Sequence, residues 1–163
     1  MRQILAVCLS LLLLLTIQQT FLPTWVFSEV KIDLLLVATV CTGLLYGRGK
    51  GVAVGFFAGL MQDLLSGFLF GYHILTRMLC GFLCGLTEKQ IFKDNPLIPV
   101  FVAAMATIAA QLVYWMSAYL AGAAFSAGQA TLVSLLLSSI GNGLLAWPVY
   151  QFLRWLFRVS ETK

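Results

Sequence analysis

The charged residues of this chain are almost confined to short breaks between long apolar runs, and that arrangement leaves few folds open. Six runs can be marked, at 4–22, 32–46, 52–66, 72–86, 97–120 and 131–157. A helix of about 20 apolar residues crosses the ~30 Å hydrocarbon core of a bilayer. Only 10% of the residues are charged and 61% are hydrophobic, whereas soluble domains carry about 25% charged residues. So few charges cannot cover the surface of a water-soluble protein of 163 residues. The expected fold is an all-α integral membrane protein, a six-helix transmembrane bundle forming one domain over 1–163, with lipid as its solvent.

The breaks carry the topology. Residues 47–51, Gly-Arg-Gly-Lys-Gly, read as a polar glycine turn facing anionic headgroups on the cytoplasmic side. A second glycine turn lies between Ser66-Gly67 and Gly71-Tyr72, the longest charged stretch is 88–95, and 122–129 is small and uncharged. Pro23 and Trp25 suit an interfacial boundary after the first run. Met1-Arg2-Gln3 and the apolar residues after them have the form of a signal peptide, but no small-x-small cleavage site follows closely, so a retained first span is expected. With six spans and both termini cytoplasmic, Arg2, Arg48, Lys50, Lys89, Lys93, Arg154, Arg158 and Lys163 fall inside and Lys31 alone falls outside. Basic residues retained on the cytoplasmic side set orientation, so this asymmetry predicts a multi-pass protein with both ends in the cytoplasm.

Candidate chemistry is sparse. Cys8, Cys41, Cys80 and Cys84 lie in apolar runs and read as small buried hydrophobes. Cys80 and Cys84 share a helix face but have no His or carboxylate beside them, so no metal site is expected. No catalytic residue or cofactor site can be assembled, because no nucleophile–base pair, Walker loop or zinc helix is present. No basic patch with interleaved aromatics points to nucleic acid. What stands out is spacing: Gly43, Gly47, Gly51, Gly55 and Gly59 recur every four residues, and Gly81 and Gly85 repeat the interval. In lipid, such small residues let helix backbones approach closely, either within the bundle or against a partner helix.

Ionisable groups within apolar runs default to functional candidates, and here they are Asp63, His73 and Arg77. They read as a structural ion pair locking two helices, or as a ligand or partner contact. Measured from a turn tip at Leu69, Asp63 and Arg77 lie at similar depth, which predicts that they pair, with His73 one helical turn before Arg77 on the same face. Asp33 opens the second run on the outer side and is expected to cap its helix. Gly55, Gly59 and Gly67 join Asp33, Asp63, His73 and Arg77 as structural or partner-contact candidates.

The strings KIDLLLV at 31–37, GFFAGLMQDLLSG at 55–67, GYHIL at 71–75 and GFLCGL at 81–86 resemble the central region of the rod-shape-determining MreD family. That resemblance covers residues 31–89. It implies a nonenzymatic scaffold in the bacterial cytoplasmic membrane, part of the cell-elongation machinery (the elongasome) and involved in regulation of cell shape and peptidoglycan synthesis. It also implies MreC as a partner, with MreB and the RodA–penicillin-binding-protein synthase, and a fold similar to the substrate-binding subunits of energy-coupling-factor transporters. The rival reading is a substrate-binding membrane subunit of a vitamin transporter. Such a subunit needs a polar pocket near the outer face, for which Asp63, His73, Arg77, Gln111 and Asn142 are the available groups.

Overall fold

In the computed structural model the described residues are 2–20, 30–66, 70–86, 97–120 and 129–161. They form five helices: α1 Arg2–Thr20, α2 Leu34–Ser66, α3 Tyr72–Leu86, α4 Leu97–Leu120 and α5 Gln129–Glu161. No strand occurs among them. The expected breaks at 88–95 and most of 122–129, together with Pro23, Trp25 and Gly67, lie outside the described residues.

The count differs from the six helices expected, and the reason is Gly47. It takes φ 82 and ψ 178 inside α2, a left-handed region open to glycine and unfavourable for residues with a Cβ. The chain reverses there. A Cβ on Gly51 would stand 2.9 Å from the Cα of Gly43, whereas eight residues of straight helix would separate them by about 12 Å. The second and third apolar runs are therefore two antiparallel arms, 34–46 and 48–66, of one element. The polar turn read over 47–51 contracts to a single residue, with 48–51 already helical.

The bundle packs most extensively between α2 and α3, with α4 against α5 as the second contact and α5 against α2 joining the halves. The glycine spacing explains the first. Going up the second arm of α2, a Cβ on Gly51 would meet the Gly81 carbonyl oxygen at 2.5 Å, one on Gly55 the Arg77 carbonyl oxygen at 2.6 Å, and one on Gly59 the backbone of Ile74. From the other side, a Cβ on Gly81 would strike the Gly51 carbonyl, and one on Gly85 the backbone of Arg48. Each step of four residues along the arm matches a step of about four down α3, so the two backbones touch over their whole shared length. Gly43 on the first arm also reaches Gly81, at 2.8 Å for an added Cβ, so both arms of α2 seat on α3.

The surface is apolar and much of the buried centre is polar. Leu75, Leu79, Phe82, Leu83 and Leu86 form one exposed face of α3, and Phe101, Met105, Leu112 and Met116 are exposed on α4. Arg77, Asp63, Asn142, Thr39, Thr42 and Thr76 are buried. Soluble proteins leave large apolar side chains exposed singly, not as continuous faces. Leu97–Ser117 and Leu132–Leu156 are long and apolar enough to cross a membrane, and in an apolar 18-residue span of each only 22% and 33% of the residues are buried. A core helix of a soluble protein would be mostly covered, so this bundle fits a hydrocarbon surrounding.

Candidate functional site: the buried Asp33–Arg77 cluster

Arg77 is the most deeply buried charge among the described residues, 1% exposed. Its Nη2 donates to both carboxylate oxygens of Asp33, at 2.7 and 2.8 Å, and its Nη1 donates to the carbonyl of Ala58 at 3.0 Å. Nε is buried with no partner among the described residues. The predicted pairing with Asp63 is thus not the one formed. Gly55 and Gly59 let α3 come so close to the second arm that the guanidinium passes across that arm to the start of the first.

Asp63 has other work. Gly71, at φ 96, precedes α3 and has no side chain to cap it. The Asp63 carboxylate, reaching over from the end of α2, accepts from the amides of Gly71 at 2.9 Å, His73 at 3.1 Å and Ile74 at 3.2 Å. Three otherwise orphaned amides at a helix N-terminus are satisfied by one anion. Asp63 also stands four residues after Gly59, so the same register that seats the glycines on α3 delivers the carboxylate to that helix's first turn. His73 joins by its backbone amide, and its ring lies 4.7 Å from that of Tyr72.

Asp33 caps α2 and is a hub besides. Its Oδ1 accepts from the Leu36 amide at 2.9 Å, the usual reach of a capping carboxylate to the third helical residue. Its own amide donates to Oδ1 of Asn142 on α5 at 2.9 Å, and the Asn142 amide nitrogen donates to the Thr107 hydroxyl on α4 at 3.1 Å. Two residues earlier, the Lys31 amide donates to the Ser138 hydroxyl on α5 at 2.8 Å. From α1, Gln18 accepts from the Leu35 amide at 3.3 Å and donates to Gln62 at 3.4 Å. All five helices thus send a polar group to this one level, and the non-helical residues 30–33 are stitched to α5 by side chains.

Of the candidates read from sequence, the fold brings Asp33 and Arg77 together and places Asp63 and His73 one step beyond them. Gly55 and Gly59 lie beneath, as the contact that makes the approach possible. Gln18, Ser138, Thr107 and the Ala58 carbonyl were not singled out. The signal for the first two was a polar side chain inside an otherwise apolar run. Among the described residues no three His, Cys, Asp or Glu side chains gather as a metal would require. The cluster satisfies its own hydrogen bonds nearly completely, so its chemistry is that of a lock: two opposite charges and a ring of neutral donors and acceptors joining five helices. The sequence of this chain matches the family model described as rod shape-determining protein MreD over residues 1–156. No curated protein and no solved structure matches it, so a likeness to energy-coupling-factor subunits rests on the family resemblance alone.

Proposed function

The chain belongs to the MreD family of rod shape-determining proteins, and we propose that it is a nonenzymatic scaffold of the cell-elongation machinery, spanning the cytoplasmic membrane six times. The family is one of membrane proteins involved in rod shape determination, within the system that includes MreC and MreB. The observation that carries the reading is the match over nearly the whole chain. The inverted surface supports it, since apolar faces on α3, α4 and α5 offer partner transmembrane segments a place to pack. The six crossings are α1, the two arms of α2, α3, α4 and α5. The asymmetry of the basic residues supports an orientation with both termini in the cytoplasm. The proposed partners are MreC first, then MreB and the RodA–penicillin-binding-protein synthase of lateral wall.

The vitamin-transporter alternative draws no support from the polar centre. Three of the five groups such a pocket would use are already engaged: Asp63 by three amides, Arg77 by Asp33 and Ala58, and Asn142 by Asp33 and Thr107. Purification in mild detergent from cells carrying the chain at native level tests the proposal. Recovery of MreC and wall-synthesis proteins, with loss of rod shape on depletion, is the expected result. Co-purification of a transporter ATPase, with rod shape unaffected by depletion, would refute it.

A further inference from the structure

On the second arm of α2 and on α3, α4 and α5 the cluster lies part-way along the helix, whereas Gln18 stands two residues from the end of α1 and Asp33 just before the start of α2. Toward the Gly47 end, ten residues separate Arg48 from Ala58, nine separate Arg77 from Leu86, and ten separate Leu97 from Thr107. At 1.5 Å per residue these distances are about 15, 14 and 15 Å. Toward the opposite end, thirteen residues carry α4 from Thr107 to Leu120 and ten carry α5 from Asn142 back to Leu132, about 20 and 15 Å. Along its own arm, thirteen residues or about 20 Å separate Asp33 from Tyr46, so in a ~30 Å hydrocarbon core Asp33 sits about 10 Å below the outer boundary where the sequence places it.

At that depth the groups are not fully covered. The Asp33 side chain is 26% exposed, and Lys31 is exposed. Residues 30–33 are non-helical, and irregular backbone at membrane depth occurs only where it is buried in protein or lines a water-filled cavity. Facing lipid, either charge would cost several kcal/mol. The exposure runs in one direction. The Lys31 ammonium lies 5.3 Å from the centre of the Tyr114 ring, seven residues or about 10 Å outward of Thr107. Tyr72 donates to the Ala110 carbonyl at 2.7 Å and its ring lies 5.6 Å from that of Tyr114, both half-buried. On the inward side Leu35, Val37, Val40, Cys41, Ala58 and Ala146 are fully buried and close the path.

We propose that Lys31, Tyr72 and Tyr114 wall a water-filled recess that opens to the outer side of the membrane and has the Asp33–Arg77 pair as its floor, below the outer boundary of the hydrocarbon core. The inference rests on the membrane-spanning reading above. Water in the recess keeps Lys31 and the exposed edge of Asp33 solvated while the buried side of the pair holds the helices together.

The test is thiol accessibility in right-side-out membrane vesicles, with the four native cysteines replaced by alanine. A membrane-impermeant charged thiosulfonate is the probe. Lys31→Cys is compared with Ala127→Cys in the outer connection and with Leu79→Cys, which is exposed on α3 at nearly the depth of Arg77. Position 31 should react within about tenfold of position 127, and about a hundredfold faster than position 79, since a thiolate does not form in hydrocarbon. Acylation of native Lys31 by an impermeant amine reagent, read by peptide mass spectrometry, repeats the test without replacing any residue. Reaction at 127 with none at 31 in either form overturns the recess. Reaction at 31 in reconstituted protein but not in cells overturns it in favour of a partner covering the pair. Reaction at 127 from the cytoplasmic side only overturns the orientation, and with it the outward opening.

Discussion

Replacing Gly55 with alanine adds one methyl group at the point where the glycine register and the ion pair meet. The new Cβ would lie 2.6 Å from the Arg77 carbonyl oxygen, 2.8 Å from its carbon and 3.0 Å from the Met78 nitrogen. All three are backbone atoms, so no side-chain rotation relieves the contact. Ordinary contact begins near 3.4 Å, so α3 must retreat by about 0.8 Å. Arg77 rides on that helix. Its bonds to Asp33, now 2.7 and 2.8 Å, would stretch to about 3.5 Å, beyond useful hydrogen-bond range. Overpacking alone costs about 1–3 kcal/mol, and the weakened pair adds to it. Gly49→Ala is the control, because nothing lies within 4 Å of its added Cβ and alanine is the better helix former by about 1 kcal/mol. Thermal unfolding of detergent-purified protein should show Gly55→Ala lowered by about 3–10 °C and Gly49→Ala unchanged or raised. Equal stability of wild type and Gly55→Ala would refute the argument that backbone contact at this step sets the position of Arg77.

Gly47→Ala places a Cβ at φ 82, ψ 178 and should cost about 1–3 kcal/mol, seen as lower accumulation in membranes; unchanged accumulation would mean that the reversal does not depend on that backbone state. Asp63→Ala leaves the amides of Gly71, His73 and Ile74 without their acceptor, so amide hydrogen exchange should rise in the first turn of α3 and not at its Leu86 end. Exchange rising equally along α3 would show that Asp63 does more than cap.

The helices lie on the apolar runs, and for α3 and α4 the ends coincide at 72–86 and 97–120. Periodic glycines also signal close backbones in the sequence itself, because small residues at that spacing let helices approach closely in lipid. The pairing of charges was not legible. Arg77 and Asp63 stand on either side of one turn, and depth arithmetic along a two-helix hairpin can compare only them. The partner actually used is 44 residues away in sequence and belongs to a third segment. Its position depends on how deep the first arm of α2 begins, and on Asn142 of α5 holding its amide. Hydropathy does not fix that depth, because residues 30–33 read as a boundary whether they lie at the surface or inside. The hairpin within α2 was half legible: the glycine turn marked the break, but only the φ of Gly47 reveals that one residue suffices.

A double-mutant cycle on Asp33 and Arg77 tests most directly the claim that a buried ion pair locks this scaffold. Asp33→Asn leaves the guanidinium without its counter-charge, and Arg77→Met leaves the carboxylate without its partner while keeping the volume apolar. Asp33→Asn strands the buried guanidinium and should cost about 3–5 kcal/mol in unfolding measured in mild detergent, and Arg77→Met should cost less, because the carboxylate it leaves is partly exposed and keeps the Leu36 amide. The double variant has no stranded charge and should cost less than the sum by about 2 kcal/mol or more. Costs that add to within about 0.5 kcal/mol, or recovery of Arg77→Asp by Asp63→Arg and not by Asp33→Arg, would contradict the account.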